Sequence, residues 1–416
     1  MADNQQPQRD QDVVTYRTFT GLRNDVNPER FDAGDLAVAS NVNLDKSGSL
    51  SRRDGYTSQV AGAAHSLWSN PQGSLCLFCQ GTALYQLNAD YSTTPLRTLT
   101  CDLPVSYVQA ADRVYFSNGV DTGVLDAGAV RSWGLPVPAL PAVSLGTGMM
   151  PAGRYQLTMT WLRADMQESG AGLAMVIDVP QDNSALVLSD IPVSADPTVV
   201  GKIVYVSPFN GELLYAAMTL PNAQTAAIYA NDTTELTRPL DTQFLQPAPA
   251  GQIVAYYRGR LYVASGDTLY ASEGYGYEWF DLRKYLQLDG RITMLAPITD
   301  HELFDRSRSS GFFVGTDQSC GVLIGGDSTD MQYVPKTSYG AIEGSLAMVD
   351  ASLLGGADQA GTRELPVWLT TAGVCAGMPE MLVKNFTRSR FTFDVGSRGA
   401  ALFQPGQNRL IFCSNN

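Results

Sequence analysis

The residues with the widest chemical reach in this chain of 416 are few and scattered. Cys76 and Cys79 stand as C-x-x-C, the spacing of a redox pair or of half a zinc site. They lie in the apolar run Leu75-Cys76-Leu77-Phe78-Cys79, which has strand character, and residues three apart on a strand point to opposite faces and cannot share one ligand. No second C-x-x-C and no histidine pair completes a site, so no metal is expected. His65 and His301 are the only histidines, the side chain that ordinarily titrates near neutral pH. Each stands alone, His65 ahead of an apolar strand and His301 among charged residues, and both read as surface or packing groups. No phosphate-binding glycine loop, nucleophile elbow or zinc-protease helix occurs. Neither a catalytic residue nor a cofactor is expected.

Two further groups have the chemistry of contact. Arg52-Arg53 and Arg388-x-Arg390 are the tightest basic spots. They would touch DNA phosphate or an acidic neighbouring subunit, or brace carboxylates of their own hairpins. Tyr275, Tyr277, Trp279 and Phe280 form an aromatic cluster suited to a subunit contact or to core packing. The segment Ser272-Glu273-Gly274-Tyr275-Gly276-Tyr277-Glu278-Trp279 resembles the Asp-box hairpin of sialidase-type propellers, with Gly274 in the place of its Asp. Such a box is a folding device, and sugar hydrolysis would need two carboxyls facing each other across a pocket.

The elements that would position these groups are strands. Arg113-Val114-Tyr115-Phe116-Ser117-Asn118-Gly119 is echoed by Arg260-Leu261-Tyr262-Val263-Ala264-Ser265-Gly266. Each phrase reads as a half-buried strand that breaks at glycine into a hairpin. Looser copies are Leu75-Cys76-Leu77-Phe78, Phe312-Phe313-Val314 and Val367-Trp368-Leu369. A following strand recurs as Ala83-Leu84-Tyr85 and Thr268-Leu269-Tyr270. With the middle of the chain set aside, the copies stand roughly 40 to 55 residues apart, the spacing of propeller blades. One blade cannot bury both faces of its sheet, so several must pack radially. The expected fold is therefore all-β, a discontinuous β-propeller of about five blades, or six if 401–413 completes one with the N-terminal hairpin.

Residues 1–16 read as a polar arm, disordered or held by a partner. Residues 17–135 supply a loop, a short helix over 34–40, a hairpin over 41–53 and the first blades. Pro136-Val137-Pro138-Ala139-Leu140-Pro141 and Pro247-Ala248-Pro249-Ala250-Gly251 read as linkers around an inserted module, 136–250. Its short strands, expected at 155–161, 175–179, 185–188, 202–206 and 213–218, suit an immunoglobulin or fibronectin-like sandwich. Residues 251–416 resume the blades. Other short helices are expected at 277–288 and 300–308.

Composition sets the outer limits. Gly 39 and Pro 22 leave little room for long helices, and no apolar stretch is long enough to span a membrane as a helix. The N-terminus is polar and lacks the apolar core of a secretory signal, so a cytosolic site of synthesis is expected. Six cysteines suit that compartment as free thiols. The net charge of −13 has the wrong sign for gripping nucleic acid, although an acidic wall would let DNA slide past.

Three segments together resemble a known family: the block Phe19 to Gly55, the phrase Arg260-Leu261-Tyr262-Val263 running into Leu269-Tyr270-Ala271-Ser272-Glu273, and Tyr339-Gly340-Ala341-Ile342-Glu343-Gly344-Ser345. The chain is similar to the tail nozzle proteins of short-tailed bacteriophages, also called tail tubular protein B or tail hub. The resemblance implies a virion protein, assembled in the host cytoplasm, that forms a sixfold ring below the adaptor of the head-to-tail connector. It also implies contacts with tail fibres or spikes, and genomic DNA retained and then ejected through the ring without specific binding. The competing expectation is a propeller that binds or cleaves carbohydrate of the host envelope.

Overall fold

The computed structural model describes residues 15–298, 311–325, 330–354, 364–378, 381–391 and 394–415. The protein is all-β. Among the described residues, five sheets share one design, a meander of four antiparallel strands in sequence order. Their first strands are Ala64–Ser69, Ser106–Ala110, Ile253–Tyr257, Ile292–Ile298 and Ala347–Asp350. Their second strands are Cys76–Gln80, Arg113–Ser117, Arg260–Ser265, Gly311–Thr316 and Glu364–Thr370. All five recurring phrases of the sequence are thus second strands. The echoed Ala83-Leu84-Tyr85 and Thr268-Leu269-Tyr270 lie on third strands, Ala83–Leu87 and Thr268–Glu273.

These second strands are covered on both sides, not on one as the alternation suggests. Val114 and Phe116 pack toward the first sheet, with Leu77 and Leu84, whereas Tyr115 packs toward the third, with Val254 and Leu261. Tyr262 and Ala264 then meet Phe312 and Val314 of the fourth sheet. Phe313 and Val322 meet Leu365 and Trp368 of the fifth. Successive side chains leave a strand on opposite faces, so a second strand set between two neighbouring sheets serves two cores and needs apolar residues at nearly every position. That two-sided burial is why the phrases stand out in the sequence.

The second and third sheets are separated in sequence by a module of two other sheets. A three-stranded sheet is ordered Ala142–Met150, Ser184–Ser189, Ala227–Tyr229, and a four-stranded sheet is ordered Met175–Val179, Gly153–Arg163, Val199–Val206, Tyr215–Pro221. The two share one core, in which Met150, Leu186 and Leu188 meet Tyr155, Leu157 and Val204. The strand Ala142–Met150 carries glycines at 146 and 148 and is absent from the strands read in the sequence.

Each end of the chain adds a hairpin. Val42–Leu44 pairs antiparallel with Leu50–Arg52, as the sequence indicates. Gly399–Gln404 pairs with Arg409–Ser414, and Phe403, Leu410 and Phe412 of this second hairpin pack on the fifth sheet beside Val349 and Val367.

Two helical expectations are overturned. Residues 277–287 lie in the long strand Gly276–Gln287, whose pairing with the third strand shifts register twice. Those shifts blur the two-residue period on which a strand reading depends. Over 34–40 the only regular element is Asp35–Leu36, parallel to Gly21–Leu22, and the local turn is a 3₁₀ segment at Pro28–Arg30, capped by the Asn27 side chain. The third expectation, 300–308, and His301 lie outside the described residues.

Candidate functional site

The aromatic cluster sits where the inserted module joins the repeating sheets. Phe280 is fully buried against Trp133, and Tyr277 is edge-on to Tyr115 and Tyr256. The Trp133 indole donates to the Tyr277 carbonyl at 2.7 Å, and the Trp279 indole donates to the Glu168 carbonyl of the module at 2.7 Å. Gln246 and Phe280 exchange backbone hydrogen bonds, so Trp133 and Gln246, which precede the two linkers, dock on the same strand. These three aromatics hold the chain's own parts together. Tyr275 differs: it is 81% exposed at the hairpin tip, where its φ of 57° is left-handed.

Between Tyr277 and Trp279, Glu278 is only 2% exposed and forms the centre of an ion-pair cluster. One carboxylate oxygen accepts from Arg131 at 2.7 Å and Arg163 at 3.1 Å. The other accepts from Arg163 at 2.8 Å and Arg131 at 3.0 Å, giving two bidentate pairs on one acid. Arg113 approaches at 3.5 Å. Asp126 pairs with Arg113 and Arg131, and Asp165 pairs with Arg163 and Arg113, so three acids balance three arginines. Gly134, at a φ of 83°, donates its amide to Glu278 at 3.2 Å; a Cβ there would lie 2.8 Å from the Glu278 carbonyl.

Burial alone would raise the Glu278 pKa, but the hydrogen bonds from Arg131 and Arg163 outweigh it and hold the carboxyl below its ordinary range. The cluster draws Arg113, Asp126 and Arg131 from the second sheet, Glu278 from the third, and Arg163 and Asp165 from the module. It is a clamp across three bodies. Nearby, Glu168 accepts from Thr160 at 2.9 Å, Tyr205 at 2.7 Å and Arg238, and so ties the module's own strands.

The first strands of all five sheets line a common cavity of about 610 Å³. Its wall is largely apolar, with Trp68 stacked near Tyr107 at 5.8 Å between centroids. Glu343 is the one carboxylate among the described lining residues, and Arg291 holds it at 2.7 Å. The Thr293 hydroxyl, also on the wall, has no hydrogen-bond partner among the described residues.

Elsewhere, His65 bridges Asp102 at 2.9 Å and Ser66 at 2.8 Å. Cys79 is buried beside Leu77 and the Tyr107 hydroxyl, whereas Cys76 lies outside that core; both are free thiols, and burial raises the pKa of each. Arg390 pairs with Asp35 at 3.1 Å, and its carbonyl accepts from Asn24, so it braces the N-terminal block. Arg388 is exposed, and its amide donates to Asn385. Arg52 is exposed at a strand end, and Arg53 reaches Asn43 at 3.3 Å. The structure therefore brings Tyr277, Trp279 and Phe280 together with the clamp and leaves Tyr275 and the arginine pairs on other surfaces. The clamp itself is absent from the sequence reading. Its signal was a charge inside an apolar run, Glu278 between two aromatics and Arg163 after Trp161-Leu162.

No family model and no curated protein matches the chain. Among solved structures it is similar to BBS1N in complex with ARL6DN, at 12% identity, a TM-score of 0.28 and 74% coverage of each chain. It is also similar to Porphyromonas gingivalis dipeptidyl peptidase 4, at 11% identity and a TM-score of 0.29, covering 85% of this chain and 42% of that one. A third is the extracellular domain of the one component system BT4673 from B. thetaiotaomicron, at 11% identity and a TM-score of 0.24, covering 88% and 53%.

Proposed function

We propose that the chain is a structural virion protein, the nozzle of a short phage tail, built as a β-propeller with a guest sandwich clamped to it. In this reading the five meanders are blades, with their first strands around the axis, and the two terminal hairpins stand together as a sixth. The sequential cores between neighbouring sheets and the common cavity support the propeller. The module over 142–229 is the immunoglobulin-like guest. The resemblance of 19–55, 260–273 and 339–345 to nozzle proteins supports the role in the tail.

The observation that carries the reading is the Glu278 clamp. This polar cluster joins the second sheet, the third sheet and the module, and its groups are engaged with one another. Its work is mechanical. Six such bodies would form a ring that meets the adaptor above, carries fibres or spikes at its side, and lets DNA pass along an acidic wall without binding it.

Electron microscopy of the purified protein and of the particle tests this. A sixfold ring on the tail axis with a through-channel is expected. A protein absent from the axis, a ring without a channel, or saturable glycan binding with loss of polysaccharide would overturn it.

A further inference from the structure

The two terminal hairpins face each other without joining. Val42–Leu44 pairs only with Leu50–Arg52, and Arg409–Ser414 pairs only with Gly399–Gln404. Each strand thus has one edge unpaired among the described residues, and a groove of about 450 Å³ runs between them, lined by Val42, Leu44, Leu410 and Phe412 among others. An unpaired edge presents a row of backbone donors and acceptors that another strand can satisfy.

Basic side chains outnumber acids around the groove, three arginines against Asp45 and Asp54. Arg53 and Arg409 line it, and Arg52, Arg53 and Asp54 line the adjoining hollow. None of the three has a carboxylate partner among the described residues, in a chain whose net charge is −13. Asp45, the acid of the same groove, is turned onto its own loop, where it accepts from the Ser47 amide at 2.8 Å, the Ser47 hydroxyl at 2.6 Å and the Ser49 amide at 2.8 Å.

We infer that this groove is an acceptor for an extended, acidic peptide segment of another protein, which adds as a strand between the hairpins. Backbone pairing along two open edges supplies affinity, the exposed parts of Val42, Leu44, Leu410 and Phe412 meet apolar side chains within an otherwise polar lining, and the arginines select acidic residues. Nucleic acid would use the arginines but not the edges. The acceptor stands on the hairpins alone, so a tail without a sixfold ring would leave it intact.

The test uses the full chain and a labelled alternating Glu-Val peptide, with a matched Lys-Val peptide and a short single-stranded oligo-dT as controls. The Glu-Val peptide is expected to bind and to slow amide exchange in both Val42–Leu44 and Arg409–Ser414. The double variant Arg53→Glu, Arg409→Glu should weaken it by about tenfold or more while circular dichroism stays unchanged. Arg52→Glu alone, at the outer hollow, should weaken it less and serves if the double variant misfolds. Equal binding of the Lys-Val peptide, binding of oligo-dT alone, or no binding at all overturns the proposal. Self-association of the full chain that the double variant abolishes would also overturn it, because a second copy would then fill the groove.

Discussion

Two junctions in this molecule join segments far apart in sequence, and they are built in opposite ways. At the module junction, Glu278 lies beyond water, with Arg131 and Arg163 bidentate on it and indole donors from Trp133 and Trp279 on either side. At the terminal junction two hairpins stand across an open groove, with arginines in solvent and strand edges unpaired. A desolvated, fully partnered charge tolerates one geometry only, because moving any member strands the others without water. An open seam imposes no such demand. The first junction fixes the relative position of two sheets and the module, and the second leaves room for another strand.

The sharpest way to break the contrast is to remove one charge from each junction. Glu278→Gln leaves the Arg163 guanidinium, 3% exposed, without its main anion. The expected loss is about 3–5 kcal/mol in denaturant unfolding, the usual cost of stranding one partner of a buried pair. Arg409→Glu at the open seam should stay within about 0.5 kcal/mol of the parent. Comparable losses from the two variants would erase the distinction.

Acid should dissolve the clamp in a defined window. The folded Glu278 carboxyl titrates below its ordinary value of 4.5, and Asp165 also titrates low, with the Arg163 hydrogen bonds outweighing burial. A depressed carboxyl contributes stability that is complete above its unfolded pKa and disappears as pH falls through the folded one. The unfolding midpoint should therefore begin to drop as pH falls below the ordinary carboxylate range and continue to drop through the lowered folded values, and the drop should be shallower in Glu278→Gln. Parallel curves for the two proteins would show that other carboxylates carry the acid response.

At the open seam a packing change should act locally. Phe412 is partly buried against the fifth sheet, and Phe412→Ala should cost about 1–2 kcal/mol, less than full burial of such a side chain is worth. Hydrogen exchange should accelerate across Gly399–Gln404 and Arg409–Ser414 while Glu364–Thr370 keeps its protection. Loss of protection throughout the fifth sheet would mean that the hairpin is integral to that sheet.

The same contrast explains what the sequence made legible. The second strands announce themselves because two-sided burial forces apolar residues at consecutive positions, and Val114, Tyr115 and Phe116 cannot be read as a loop. The strand Gly276–Gln287 hides because its register shifts, and because Arg283, Lys284 and Tyr285 break the apolar period on its exposed half. The clamp hides for another reason. Arg113, Arg131, Arg163 and Glu278 are brought together by tertiary structure alone, and no local spacing encodes that meeting. The groove is hidden too, since it is made of the two ends of the chain.

The smallest expected effect concerns Tyr275, the member of the aromatic cluster that the clamp does not absorb. Its neighbours Tyr277, Trp279 and Phe280 are occupied within the chain, whereas its own ring projects into solvent beyond Gly259. Tyr275→Ala should change stability by less than about 0.5 kcal/mol, as surface substitutions do. If this tip is a contact between subunits, the same variant should raise the concentration at which the protein assembles, measured by sedimentation, because an exposed tyrosine gains most of its worth when a partner covers it. A loss of stability without a shift in assembly would make Tyr275 a packing residue like its neighbours. An unchanged sedimentation profile with unchanged stability would remove Tyr275 from any interface between subunits.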